Sequence, residues 1–216
     1  KNNGKYIVGY ELGRQHVQMS YLKIGEKEPQ TVSLVNGQEE YNIPIVLYKK
    51  DDTNLWYIGK DAILHQEENG GILLENLLQE AYEGNMTEVD LETYDACALL
   101  ALFVKRSFAY LSMTAHLEQV AAIMFTVDNL DQKMVDTLRK MVEFLQLPNV
   151  LIQFMGMEES FFYYNLHTDP VLWNNPVYLY ELEMGELKSY CLSVNRQTKP
   201  VVTLIEKKQY AQFPFL

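Results

Sequence analysis

Residues 5–12, Lys-Tyr-Ile-Val-Gly-Tyr-Glu-Leu, form an apolar run that stops at Gly13, and His16-Val-Gln-Met-Ser-Tyr-Leu-Lys-Ile24 then alternates apolar with polar positions. The run predicts a buried strand and the alternation a half-buried one, joined as a hairpin through Gly13-Arg14-Gln15. Thr31–Val35, Ile43–Tyr48 and Leu55–Ile58 predict further strands, so the first third reads as a β-meander. Helical spacing then takes over. Lys60–His65 and Ile72–Tyr82 predict short helices and Leu91–Leu117 a long one with an apolar middle. Gln119–Val127 predicts a strand. Asp128-Asn129 offers a cap to a helix over Leu130–Leu145, where Leu130, Met134, Val135, Leu138, Met141, Val142 and Leu145 share one face. Val150–Phe154 predicts a strand and Glu158–Leu166 an aromatic helix; Val177–Leu182, Leu187–Val194 and Val201–Ile205 close with a second meander turning at Gly185.

A meander leading into alternating helix and strand implies one α/β mixed sheet with helices on its faces. About five strands are expected in it, Val177–Leu182 among them, and the second meander turn should lie beside the first. The 216 residues and 48% apolar content suffice for a packed core. With 18 basic and 29 acidic side chains the formal charge is −11, which repels phosphate backbones and argues against nucleic acid as a partner. The longest apolar stretch, Ala96–Val104, has nine residues, against about 20 for a membrane span. No signal peptide opens the chain, and Lys1 in place of Met reads as the start of an excised piece. Cys97 and Cys191 stand far apart with no Cys or His at ligand spacing, which excludes a zinc ribbon or disulfide framework and favours a reducing, cytoplasmic setting. His16, His65, His116 and His167 share no ligand spacing, and Ser160 and Ser189 have no nucleophile-elbow context.

Several segments, in order, resemble the first lobe of seventy-kilodalton heat-shock chaperones and their actin-like relatives. Tyr6-Ile-Val-Gly-Tyr-Glu-Leu-Gly-Arg-Gln-His16 resembles the first phosphate loop, I-G-I-D-L-G-T-T-N. Asn42–Leu47 with Ile58-Gly-Lys-Asp-Ala62 resembles T-P-S-V-V followed by I-G-D-A-A. Val127–Leu147 resembles the strand-and-helix segment V-P-A-x-F, and Met157-Glu-Glu-Ser160 stands where those chaperones have N-E-P-T. Val177–Glu186 stands where the second phosphate loop, V-x-D-L-G-G-G-T, belongs. The order and spacing carry this resemblance, since no single motif is intact.

The resemblance implies a ribonuclease H-like sheet and a divergent bacterial member of the actin-like ATPase superfamily. It implies one lobe over residues 5–205, with 39–90 a peripheral insertion and 206–216 a tail or the start of a second lobe. It also implies a site for ATP and Mg²⁺. Glu11 and Glu181 match the two aspartates that hold the metal through water, because Mg²⁺ takes hard oxygen ligands. Gly13, Arg14, Gln15 and Gly185 match the phosphate-cradling turns, and Glu158 matches the catalytic glutamate. The departures weigh against turnover. Arg14-Gln15 replaces a small hydroxyl pair, Glu183 and Glu186 add carboxylates beside an anion site, and Ile63 stands where a lysine assists phosphoryl transfer.

Each residue also has a plainer reading. Glu11 and Glu181 suit solvated or ion-paired strand ends, and Arg14 suits a salt bridge to Glu183. Gly13 and Gly185 suit turns needing positive φ, and Glu158 suits the first turn of a helix. Phe161-Phe-Tyr-Tyr164 suits core packing or burial under a partner. The expected function is a degenerate actin-like lobe that binds or scaffolds, with weak or no hydrolysis, no nucleotide held by this chain alone, and its own second lobe or a protein as partner. Two alternatives stand beside it: an ATPase whose second lobe lies outside this chain, and an unrelated α/β interaction domain.

Overall fold

The computed structural model describes residues 4–147, 149–168, 176–183, 186–195, 197–198 and 201–210. By its internal contacts the chain divides into two compact units, Lys1–Met155 and Gly156–Leu216, where the sequence reading has one lobe over 5–205.

In the first unit, β1 (Tyr6–Leu12) buries Val8, Tyr10 and Leu12 and turns Glu11 to the exposed face. It pairs antiparallel with β2 (His16–Lys23), with Leu12 opposite Val17 across the turn. β3 is only Gln30–Thr31, and the expected Ile43–Tyr48 strand splits into β4 (Ile43–Pro44) against β2 and β5 (Leu47–Lys49). β6 (Trp56–Ile58) pairs with β5 and runs into α1 (Gly59–Asn69). The apolar run Ile72–Tyr82 is not one helix. Ile72–Leu74 is drawn onto the free edge of β5 as β7, and a left-handed Asn76 at φ 55° starts the short helix α2 (Leu77–Glu83). The hairpin β8 (Met86–Val89) and β9 (Glu92–Asp95) follows.

The expected helix Leu91–Leu117 is shorter at both ends. Asp95 caps it by accepting the Cys97 N–H at 2.8 Å, so α3 runs Ala96–Leu111, and Leu117–Gln119 forms a separate 3₁₀ turn. α3 is apolar almost all round because it is a core helix. β10 (Val120–Val127) lies parallel to β1, Leu12 beside Val127. Its nearly unbroken apolar sequence suits a strand covered on both faces. α4 is Gln132–Leu145, capped by Asp131 rather than Asp128-Asn129: the Asp131 carboxylate accepts the Met134 N–H at 2.7 Å. Its buried residues Met134, Leu138, Met141 and Leu145 recur at helical spacing. β11 (Leu151–Gly156) completes a six-stranded sheet of order β11-β10-β1-β2-β3, with β4 also on β2. α3 and α4 share one core with β1, β2 and β10. A smaller cluster of Val46, Tyr48 and Ala62 holds Ile63, the residue at the lysine position, against β5 and α1.

The second unit holds α5 (Met157–Thr168) and the hairpin-linked antiparallel strands β12 (Pro176–Glu183), β13 (Glu186–Val194) and β14 (Val202–Gln209). They form a sheet of their own, so Val177–Leu182 does not join the central sheet. That corrects the sequence expectation. Its core is Phe162, Tyr190, Leu192, Val194 and Val202. Phe162 alone of the four-aromatic run is fully buried, while Phe161 and Tyr164 are exposed. Among the described residues no helix is long and apolar enough to cross a membrane.

Candidate functional site

The carboxyl ends of adjacent parallel strands are where α/β sheets place ligands, since the chain diverges there and leaves a crevice. β1 ends at Leu12 and β10 at Val127, side by side. A cavity of about 420 Å³ opens at this point. Its floor is Leu12 and Val127, one rim is Gly13, Arg14, Asp128 and Asn129, and the facing wall is α2 with Asn76, Leu78, Gln79 and Tyr82.

Arg14 donates from Nη2 to Asp128 Oδ2 at 2.8 Å. Arg14 is half exposed and the Asp128 side chain only 15% exposed. A carboxylate ahead of a half-buried guanidinium offsets the charge that an anion would seek. This is an ion pair that Arg14 makes within its own unit. The wall opposite is held by Tyr82, whose hydroxyl donates to Asp131 Oδ2 at 2.7 Å. Lys133 Nζ lies 4.4 Å from the centre of the Tyr82 ring. The Met134 N–H and then the Tyr82 hydroxyl hold the Asp131 carboxyl below the usual carboxylate range, and the same bond raises the Tyr82 phenol.

The turn itself is occupied by its own backbone. The Gly13 N–H donates to the His16 carbonyl at 3.0 Å, and the Gln15 carbonyl accepts from the Ile45 N–H at 2.8 Å. Gly13 does not stand at positive φ. It is small for another reason: a Cβ there would meet the His16 carbonyl oxygen at 2.7 Å. The expected left-handed turn glycine is therefore a close-approach glycine.

Of the other expected site residues in the first unit, Glu11 and Gln15 do not line this cavity. Glu11 faces away from the buried side chains of β1. Glu181 is in the second unit, where its carboxylate accepts the Tyr190 hydroxyl at 2.8 Å. Glu158 begins α5, also in the second unit, folded back so that its carboxylate oxygens fill the place of a Gly156 Cβ at 2.9 Å. Beside it, burial and then the Glu158 charge raise the Glu159 carboxyl. Gly185 lies outside the described residues. Among the described residues no three His, Cys, Asp or Glu side chains come together as a metal site. The residues present do not fit an Mg²⁺–triphosphate group at the cavity. Its described carboxylate is engaged by Arg14, and the turn amide of Gly13 by the His16 carbonyl.

Asp128, Tyr82 and Asp131 were missed as site residues. Asp128 was legible as the first residue beyond the carboxyl end of an apolar strand, the position that faces the crevice, and not as a helix cap. Tyr82 was not legible, because only the fold of the β5–β7 region carries α2 across to α4.

A family model described as "Family of unknown function (DUF5716) C-terminal" matches residues 28–215. The chain belongs to that family. β1, the Gly13–Gln15 turn and β2 precede the matched span. No curated protein matches the chain.

Proposed function

We propose that the chain is a divergent actin-like lobe that acts as a binding or scaffold module, with weak or no nucleotide hydrolysis. The strand order supports it. β3-β2-β1 antiparallel, then β10 parallel to β1 and β11 beyond it, is the order a ribonuclease H-like unit takes. The cavity is lined by Gly13 and Arg14, the residues that the resemblance matches to the first phosphate loop. Val177–Leu182 no longer supports a single lobe. The second unit opens with α5 and then gives three antiparallel strands.

The observation that carries the loss of nucleotide chemistry is the Arg14–Asp128 pair at the cavity rim. Phosphate transfer relies on preorganised donors and cations aimed at the transferring group. Here the rim cation already faces a carboxylate, the Gly13 amide is bonded within the turn, and Ile63 packs in an apolar cluster. These features argue against productive ATP and Mg²⁺ binding at this cavity, and the reading takes the chain's own second lobe or a protein as its partner.

Asp128→Asn tests this directly, since it removes the carboxylate and leaves Arg14. Tripolyphosphate binding followed by calorimetry should be undetectable in the parent chain and appear in the variant. Tight binding by the parent, or none in either protein, overturns the role given to the pair.

A further inference from the structure

β8 and β9 close through two residues, Asp90 and Leu91, because Val89 pairs with Glu92. Both hold positive φ, 50° and 68°. That is the type I′ hairpin turn, which favours Asn-Gly or Asp-Gly. Asp90 suits the first place. Leu91 does not suit the second, where its Cβ opposes the left-handed backbone. Its side chain is also wholly in solvent, at 105% of the reference exposure. One residue thus carries both backbone strain and an apolar side chain in water, and strain of this kind concentrates at functional positions.

The loop is anchored. Val89 is fully buried, and the Asp90 carboxylate accepts the ammonium of buried Lys49. Lys49 Nζ is 6.0 Å from the centre of the Trp56 ring, and Trp56 meets Tyr94 of β9 edge-on at 5.8 Å. The base of the hairpin therefore fixes the direction in which Leu91 projects. The residues flanking the tip are Glu88 and Glu92, both exposed.

We propose that Leu91 is a docking knob for a protein partner, filling an apolar socket whose rim carries Lys or Arg. A large apolar side chain seated in a pocket is the usual energetic centre of an interface, and complementary charge around it selects the partner. Glu88 and Glu92 supply one half of that complementarity. A second copy of this chain, at a formal charge of −11, supplies the wrong half. The partner is a different protein with a basic surface. This inference does not depend on the reading of the cavity.

The test uses the whole chain in its own host, with photo-reactive p-benzoylphenylalanine in place of Thr93, an exposed residue that pairs with Glu88, alone and combined with Leu91→Asn. Asn tolerates the left-handed region, so Leu91→Asn raises the folding constant of the isolated protein by up to about tenfold. The expected result is one dominant cross-linked peptide from a different protein, with apolar residues flanked by Lys or Arg. Leu91→Asn should lower its yield by about tenfold or more, although that variant is the more stable protein. No cross-link, a cross-link that Leu91→Asn leaves unchanged, one to a second copy, or one to an acidic surface overturns the proposal. A less stable Leu91→Asn protein overturns its premise of strain.

Discussion

Tyr10 and Ser107, 97 residues apart in sequence, tie the central strand β1 to the core helix α3: the two hydroxyl oxygens are 2.7 Å apart and both residues are fully buried. Ser107 Oγ also donates to the Val104 carbonyl at 2.7 Å, so Tyr10 is the donor in the shared bond. The two deletions are therefore unequal. Tyr10→Phe removes one hydrogen bond but leaves Ser107 satisfied by Val104, and should cost about 0.5–1.5 kcal/mol. Ser107→Ala strands a buried phenol hydroxyl with no acceptor, and should cost about 1–3 kcal/mol, the desolvation of that group. In the double variant no orphan remains. Its cost should equal that of Tyr10→Phe within about 0.5 kcal/mol, giving a coupling energy of about 1–3 kcal/mol. Urea unfolding of the four proteins, at unchanged denaturant slope, measures each value. Additive costs, or Tyr10→Phe costing more than Ser107→Ala, would refute the reasoning and with it the register of α3 on β1.

Gly13→Ala should destabilise by about 1–3 kcal/mol in thermal unfolding, because the new Cβ meets the His16 carbonyl oxygen at 2.7 Å and that oxygen is backbone. Asp90→Asn should cost more than Lys49→Met, since the first leaves a buried ammonium facing a neutral amide while the second leaves only the Asp90 carboxylate, which is 27% exposed and can hydrate; chemical denaturation of the two variants ranks them. The Asp131 carboxyl is depressed in the folded chain, so its contribution is present above the ordinary carboxylate pKa and is lost as pH falls through the lower folded value. Asp131→Asn keeps a cap and should flatten the acid arm of the stability–pH profile, whereas Asp131→Ala should also lower stability near neutral pH by about 0.5–2 kcal/mol.

The strongly periodic segments were legible in the sequence, and the weakly periodic ones were not. β1, β2, β10 and α4 follow from alternation, a continuous apolar run or helical spacing, and each appears within two residues of its expected bounds. Ile72–Tyr82 misled because a short apolar run suits a strand as well as a helix, and pairing of Ile72 with Lys49 decides it only in three dimensions. Residues 92–95 were read into the long helix because the Asp95 cap and the type I′ turn at Asp90-Leu91 lack the glycine that usually marks such a turn. For the site, the position was legible and its chemistry was not. The β1–β2 turn does border the cavity, but local spacing cannot show that Asp128, 114 residues on, reaches Arg14. Glu181 lies on a segment that folds in the other unit, a division that local spacing does not reveal.

Calorimetric titration of the chain with ATP, with and without Mg²⁺, tests the central claim most directly. An ion-paired Arg14, a turn amide bonded to His16 and an apolar residue at the lysine position predict no micromolar binding and no dependence on the metal. Micromolar, Mg²⁺-dependent ATP binding that Glu11→Ala abolishes would contradict it.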